Sequence, residues 1–314
     1  MAGGEIMLTT QVKTYIEIRQ TLGYKLRETK RELNLFAKFM EERKENHITT
    51  VNASAWANLA SSPNGRERRM RHVVQLGHYL RLEDSSHEIP SRELFKHKYT
   101  RPLPYIYSPE EIEKLLIGAS KIRRQPNTNP IRPEVYVMLI GLIASTGMRI
   151  SEALGLKFMD IKSGGILHIR ETKFGKSRYI PLHPSVKEKL EQYFDIRKKI
   201  PVEGHDYLFI GTNGIKLTAK MADWTFLELI KKTAIGKDRK KHPRVHDLRH
   251  TFATRALERC PTDRKSVAKH FVALSTYLGH VDIKSTYWYL EATPELMSIM
   301  AIVAEEFFIN GRQS

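Results

Sequence analysis

LGHVDIKSTYWYL, from Leu278 to Leu290, is the stretch on which the reading of this chain turns. Gly279 stops one helix-compatible run, His280 follows the break, and Tyr289 stands nine positions later inside the next helical run, which Asp282 is placed to cap. Alone, that is an ordinary helix end. Two upstream segments change its weight: TGMRISEALGL at Thr146–Leu156 and VHDLRHTFAT at Val245–Thr254.

Composition limits what such residues can serve. The chain has 314 residues, long for one helical domain and comfortable for two, with 41% hydrophobic and 28% charged residues. Its formal net charge is +17, which points to a polyanionic partner. Residues 1–107 carry 18 Lys and Arg against 12 Asp and Glu, and residues 108–314 carry 34 against 23, so both parts are basic. Cys260 is the single cysteine, which excludes a disulfide framework and a cysteine zinc site. The start MAGGEIMLTT has neither a basic nor an apolar signal region, and no apolar run approaches 18 residues. The expectation is a soluble, intracellular protein.

The first module, 1–85, reads as consecutive helices. Thr9 or Thr10 caps a run to about Leu22. Leu26, Leu33, Phe36, Phe39 and Met40 then share one helical face. Ser54 opens a short helix with Trp56 and Leu59, and SSPNG at Ser61–Gly65 breaks it. The next helix is basic at its start, with Arg66, Arg68, Arg69 and Arg71, and apolar afterwards. A solvated charged face is the bland reading of those arginines; the near absence of acidic partners and the helix N-terminal amides favour contact with a DNA backbone. Residues 86–107, with Pro90, Pro102 and Pro104, read as a linker.

The second module, 108–314, opens on SPEE, a capping box with proline in the first turn. An apolar helix from Glu134 to Ser145 runs into Thr146-Gly147-Met148-Arg149, which holds Arg149 at a helix junction with Glu152 one turn on and able to orient it. Gly165–Arg170 and Ser177–Leu182 alternate as strands, with Lys173 and Lys176 in their connection. A lysine there can reach over a bound phosphate, and an exposed turn lysine fits the same pattern. Trp224, Phe226, Leu227, Leu229 and Ile230 are core candidates on a later helix. His246 and Arg249, three apart, share a helix face, whereas His250 reads as structural and no further ligands support a metal at His246-Asp247. Thr293–Phe307 reads as a terminal amphipathic helix that folds back or docks on a neighbouring subunit. The fold expected is mainly α with a small antiparallel β-sheet. Together, two arginines, two histidines, a lysine and a late tyrosine suit cleavage of a phosphodiester without a metal.

The ordered set Arg149, Lys173, His246-x-x-Arg249, Leu278-Gly279-His280 and Tyr289 resembles the tyrosine recombinase (phage integrase) family. Each motif is weak alone; all five in order are specific. The resemblance covers the second module as an α+β catalytic domain and likens the first to the family's core-binding domain, leaving no room for an arm-binding domain. It implies that Arg149 and Arg249 clamp the scissile phosphate, His280 adds a hydrogen bond, His246 donates or transfers a proton, Lys173 is the general acid, Glu152 supports the pocket and Tyr289 is the nucleophile. The family's step from the histidine selects Tyr289 over Tyr287, and the hairpin pattern selects Lys173 over Lys176, which is left as a DNA contact. The resemblance implies no cofactor, metal or ATP. The implied partners are double-stranded DNA with inverted-repeat sites, three further copies of the chain in a tetramer, and a second recombinase or accessory protein, in the cytoplasm at the nucleoid. One departure is a longer spacing from Arg249 to His280, with additional residues around Cys260–Phe271; with the TYWYL ending it looks more like mobile-element or phage integrases. Rival readings are Xer-like chromosome or plasmid resolution, a type IB topoisomerase, a non-catalytic DNA-binding protein and a metal-dependent nuclease.

Overall fold

Local capping chemistry sets where several of the helices begin. The computed structural model describes residues 7–96, 103–126, 128–170, 177–239, 241–259 and 264–279, and its contacts divide the chain into Met1–Pro102 and Leu103–Ser314.

In the first unit, α1 (Leu8–Thr21) is followed by α2 (Arg27–Glu42), whose apolar stripe buries Leu33, Phe36 and Met40. The helix α3 (Thr50–Asn58) starts earlier than Ser54 because Thr49 and Asn52 cap it reciprocally, each side chain accepting the other's backbone N–H. Trp56 is buried and Leu59 is exposed. The SSPNG stretch is a helix start as well as a break. Ser62 accepts the Gly65 N–H, and α4 (Pro63–Leu80) begins at Pro63, where a missing N–H is harmless. The core joins Val12 and Ile16 of α1, the stripe of α2, Trp56, and Val73, Leu76 and Leu80 of α4.

The expected linker at 86–107 is mostly structured into one unit or the other. His87 is buried, and its Nδ1 accepts the Ile48 N–H at 3.1 Å, while the Glu88 N–H donates to Ile48 O at 2.7 Å. A 3-10 turn at Arg92–Phe95 packs on α4, and Tyr107 is wholly buried in the second unit. A polar, proline-containing stretch need not be free when its backbone groups find partners.

In the second unit, α5 (Pro109–Ser120) carries the Ser108–Glu111 capping box. Then comes α6 (Arg132–Thr146), buried along most of its length, and the single-turn α7 (Ile150–Ala153). Strands β1 (Ile161–Lys162), β2 (Ile166–Ile169) and β3 (Arg178–Pro181) form an antiparallel sheet in that order, with Ile169 opposite Arg178. Helices α8 (Pro184–Lys198), α9 (Ala219–Thr233), α10 (Val245–Glu258) and α11 (Arg264–Leu278) follow. The central helix α6 is packed by α5, α8 and α10. Trp224 departs from expectation: it is 63% exposed, because Ala222, Phe226, Leu229 and Ile230 take the inward face of α9 and Trp224 falls on the other side. The basic insert is partly structural, since Val267 and Phe271 of α11 pack with Ala253, Leu257, Leu274 and Leu278 in a satellite core.

Among the described residues, no helix is long and apolar enough to cross a membrane. Lys173 and Lys176, Cys260, and everything from His280 onward, including Tyr287, Tyr289 and the terminal amphipathic run, lie outside the described residues.

Candidate active site

The α6–α7 junction is built around a glycine. Gly147 closes α6 with φ +62°, in the left-handed region, and a Cβ there would run into the Phe252 ring of α10. Two residues on, Arg149 caps α7 in an extended conformation. Glu152, in the first turn, accepts the Arg149 backbone N–H on Oε2 at 2.9 Å and the Arg149 Nη1 on Oε1 at 2.8 Å. The expected support of Arg149 by Glu152 is thus a direct contact from both backbone and side chain.

A third group completes this pair. Arg178, the first residue of β3, donates from Nη1 to Glu152 Oε1 at 3.1 Å and from Nη2 to Oε2 at 2.7 Å. The Glu152 side chain is 5% exposed. Burial by itself raises its pKa, but the Arg178 hydrogen bonds, the Arg149 N–H and the two guanidinium charges prevail and hold it down to about 2. Sequence reasoning missed Arg178. The signal was present in the strand's alternation, because Arg178 is in phase with Ile180, which is fully buried.

Arg249 approaches from α10. It is 2% exposed, and it donates from Nη1 to Gly147 O at 2.7 Å and from Nη2 to Leu278 O at 2.8 Å. Arg149 Nη2 donates to the next carbonyl, Gly279 O, at 2.9 Å. Two guanidiniums therefore hold consecutive carbonyls at the C-terminal end of α11, where unpaired carbonyls carry partial negative charge. His280 is the next residue in the chain. Gly279 has φ +65°, and a Cβ on it would lie 2.9 Å from Arg178 Nη1 and 3.6 Å from Arg149 Nη1. A glycine is required there on both counts.

His246 lies in the first turn of α10, its ring edge-on to buried His250 with centroids 4.7 Å apart. The residue is itself exposed to solvent. Partial loss of water, then the Arg249 cation, lower its pKa to about 4. Solvent screening weakens that shift, but its direction favours the neutral imidazole at pH 7. The start of α10 is fixed by Asp247, which accepts the Arg244 N–H at 2.8 Å and the Arg244 Nη2 at 2.9 Å. Tyr107, assigned to the linker from sequence, braces the same turn: its N–H donates to Thr251 Oγ1 and its hydroxyl to Arg244 O. Among the described residues, no group of three or more His, Cys, Asp or Glu side chains converges to hold a metal.

Residues 107–295 match the model of the phage integrase family. This chain belongs to that family. A relative, protein y4rB of Sinorhizobium fredii (strain NBRC 101917 / NGR234), provisionally named an integrase/recombinase, is 38% identical over 91% of this chain and 93% of its own. Tyrosine recombinase XerC of Staphylococcus epidermidis (strain ATCC 35984 / DSM 28319 / BCRC 17069 / CCUG 31568 / BM 3577 / RP62A) is 30% identical over 65% of this chain and 62% of its own. A solved lambda integrase dimer bound to a COC′ core site shares the fold with TM-score 0.65 at 17% identity, over 91% of this chain and 78% of that one. In this phage integrase chain Arg149 and Arg249 meet at the end of α11, Glu152 and Arg178 are joined to Arg149, and His246 stands one turn before Arg249 on α10.

The arginine run of the first unit is divided in its duties. Arg69 faces inward: its Nε donates to Glu32 Oε2 at 3.3 Å, its Nη1 to Trp56 O at 3.1 Å, and its Cζ lies 4.3 Å from the Trp56 ring centroid. Its charge compensates Glu32, whose side chain is 5% exposed. Arg66 Nε donates to Ala60 O, Arg68 pairs with Glu28 at 3.3 Å, and Arg71 is exposed. The run is thus one internal arginine and three at or near the surface.

Proposed function

We propose that this chain is a site-specific DNA recombinase that cuts and rejoins strands through a 3′-phosphotyrosyl bond, with DNA integration or excision as its task. The observation that carries this reading is the seating of Arg149 and Arg249 on successive carbonyls, directly before His280, in a phage integrase family chain. Three guanidiniums, of Arg149, Arg178 and Arg249, and the Glu152 carboxylate meet about the end of α11. A phosphodiester attacked by an alkoxide-like oxygen develops a second negative charge, and fixed cations act most strongly on charge that grows in the transition state.

In this mechanism Arg149 and Arg249 turn guanidinium donors to the non-bridging oxygens, and His280 adds a donor. The Tyr289 oxygen forms a bond to phosphorus while the bond from phosphorus to the 5′ oxygen breaks. The phenolic proton leaves through neutral His246, and Lys173 protonates the departing 5′ oxygen. The products are a 3′-phosphotyrosine and a free 5′ hydroxyl. Attack by a 5′ hydroxyl of a second duplex reverses these steps, forms a Holliday junction and restores a phosphodiester. One phosphoester replaces another at each step, so neither ATP nor a metal is required. The assembly is a tetramer on paired inverted-repeat sites, with Arg66, Arg68 and Arg71 on duplex phosphates and a nucleoid location. A second recombinase or accessory protein is a further partner. The XerC likeness favours, as a second reading, resolution of chromosome or plasmid dimers.

The test is covalent trapping on nicked suicide duplexes drawn from a randomised half-site library, in EDTA. Wild type and Tyr287→Phe are expected to give protein–DNA complexes that survive denaturation, and Tyr289→Phe none. A trapped complex with Tyr289→Phe would assign the nucleophile elsewhere; activity lost in EDTA would sink the metal-free mechanism.

A further inference from the structure

Arg178 lies outside the residue set from which the function was read, and its geometry bears directly on the charge of the site. A carboxylate offers about four lone-pair positions. All four on Glu152 are taken: one by the Arg149 N–H, one by Arg149 Nη1, and two by the Arg178 fork. Were Arg178 absent, the carboxylate could engage Arg149 bidentately, the favoured geometry for that pair. Arg149 Nη2, now on Gly279 O, would then be drawn onto the acid. The local charge of Arg149 and Glu152 would be zero.

We propose that Arg178 is a positioning residue for strand cleavage: by filling the Glu152 carboxylate it limits the Arg149 guanidinium to a single hydrogen bond with that acid, and its own charge keeps the trio at +1, so that Arg149 has a donor and a net charge for the scissile phosphate. Gly279 belongs to the same device, because its bare Cα lets Arg178 Nη1 lie within 2.9 Å of where a Cβ would stand. Arg178 is also the first residue of β3, on the far side of the connection bearing Lys173. The sheet is thereby tied to the arginine clamp through one buried acid.

The proposal rests on the strand-exchange reading and is tested by single-turnover cleavage at saturating suicide duplex, with DNA affinity and thermal unfolding measured alongside. Arg178→Gln takes the trio's charge from +1 to zero and is expected to slow covalent-complex formation by ~10- to 100-fold, with DNA affinity changed less than about threefold. Arg178→Lys keeps the charge and is expected to stay within about tenfold of wild type. The double variant Arg178→Gln/Glu152→Gln returns the trio to +1 and is expected to cleave faster than Arg178→Gln alone. A purely structural role does not predict a rate loss at saturating DNA that is recovered by removing the acid. Arg178→Gln cleaving like wild type, or the double variant no faster than the single, overturns the proposal. If Arg178→Gln does not fold, Arg178→Lys decides, and a loss beyond a hundredfold in the folded lysine variant overturns it. A wild type that traps no covalent DNA overturns the strand-exchange reading itself, a different result from any of these.

Discussion

Glu152→Gln puts the buried carboxylate to a quantitative test. Glutamine resembles the protonated acid in shape, so the substitution removes the charge and little else. The Glu152 carboxyl is held at about 2 in the fold against an ordinary value of 4.5. That difference corresponds to roughly 3 kcal/mol of preference for the charged form. Removing one partner of a buried ion pair costs a similar amount, about 3–5 kcal/mol. The sign follows from proton binding. The folded pKa is depressed, so the unfolded chain binds more protons between pH 4.5 and about 2, and the stabilisation is complete above pH 4.5 and lost as pH falls toward 2. Thermal unfolding at pH 7 should therefore show Glu152→Gln destabilised by roughly 3 kcal/mol, a fall of about 6–12 °C for a unit of this size. The gap to wild type should narrow steadily as pH is lowered from 4.5 to 3. A difference under about 1 kcal/mol at pH 7, or a gap that does not narrow with acid, would refute the account of Glu152 as the charged keystone of the two arginines.

Four further outcomes follow from particular residues. Gly279→Ala forces a side chain into the left-handed region and against Arg178 Nη1, so it should lose roughly 1–2 kcal/mol of stability and slow covalent trapping, measured by unfolding and suicide-duplex assays. Arg69→Ala should destabilise the protein by about 1–3 kcal/mol, because Glu32 and Trp56 O lose a buried partner, whereas Arg71→Ala should leave stability alone and lower the slope of log binding constant against log salt by about 1. His246 is held neutral, with its folded pKa below the ordinary 6.5. Its contribution is present above pH 6.5 and is lost as pH falls, so its imidazole resonances, followed by NMR, should titrate well below pH 6.5; titration at or above that value would contradict the described packing.

Part of the arrangement around Arg149 was legible from residue spacing, because spacing along a helix is geometry. Three residues from Arg149 to Glu152 or from His246 to Arg249 place side chains on one face, and a glycine before His280 announces a turn. Capping residues announced the start of α5 to the residue, through Ser108 and Glu111. Elsewhere local signals ranked wrongly. The polar Thr49–Asn52 cap preceded the more conspicuous Ser54, and Trp224 looked like core while its neighbours already filled the inward face. Arg69 looked like one more phosphate contact in an arginine run; its use became visible only when α2 brought Glu32 beside it.

The sequence by itself determined the helical class of both units, the strand pair flanking Lys173, and the order of motifs that places this chain in its family, since these depend on periodicity and local capping. Tertiary structure alone decided which charges meet. Glu152 and Arg178 are 26 residues apart and sit on a helix and a strand. Arg249 reaches Gly147 O across 102 residues and Leu278 O across 29. No periodicity within one element encodes such a meeting: the partner of a buried charge is set by how helices and sheet pack, and burial is what makes that partner obligatory.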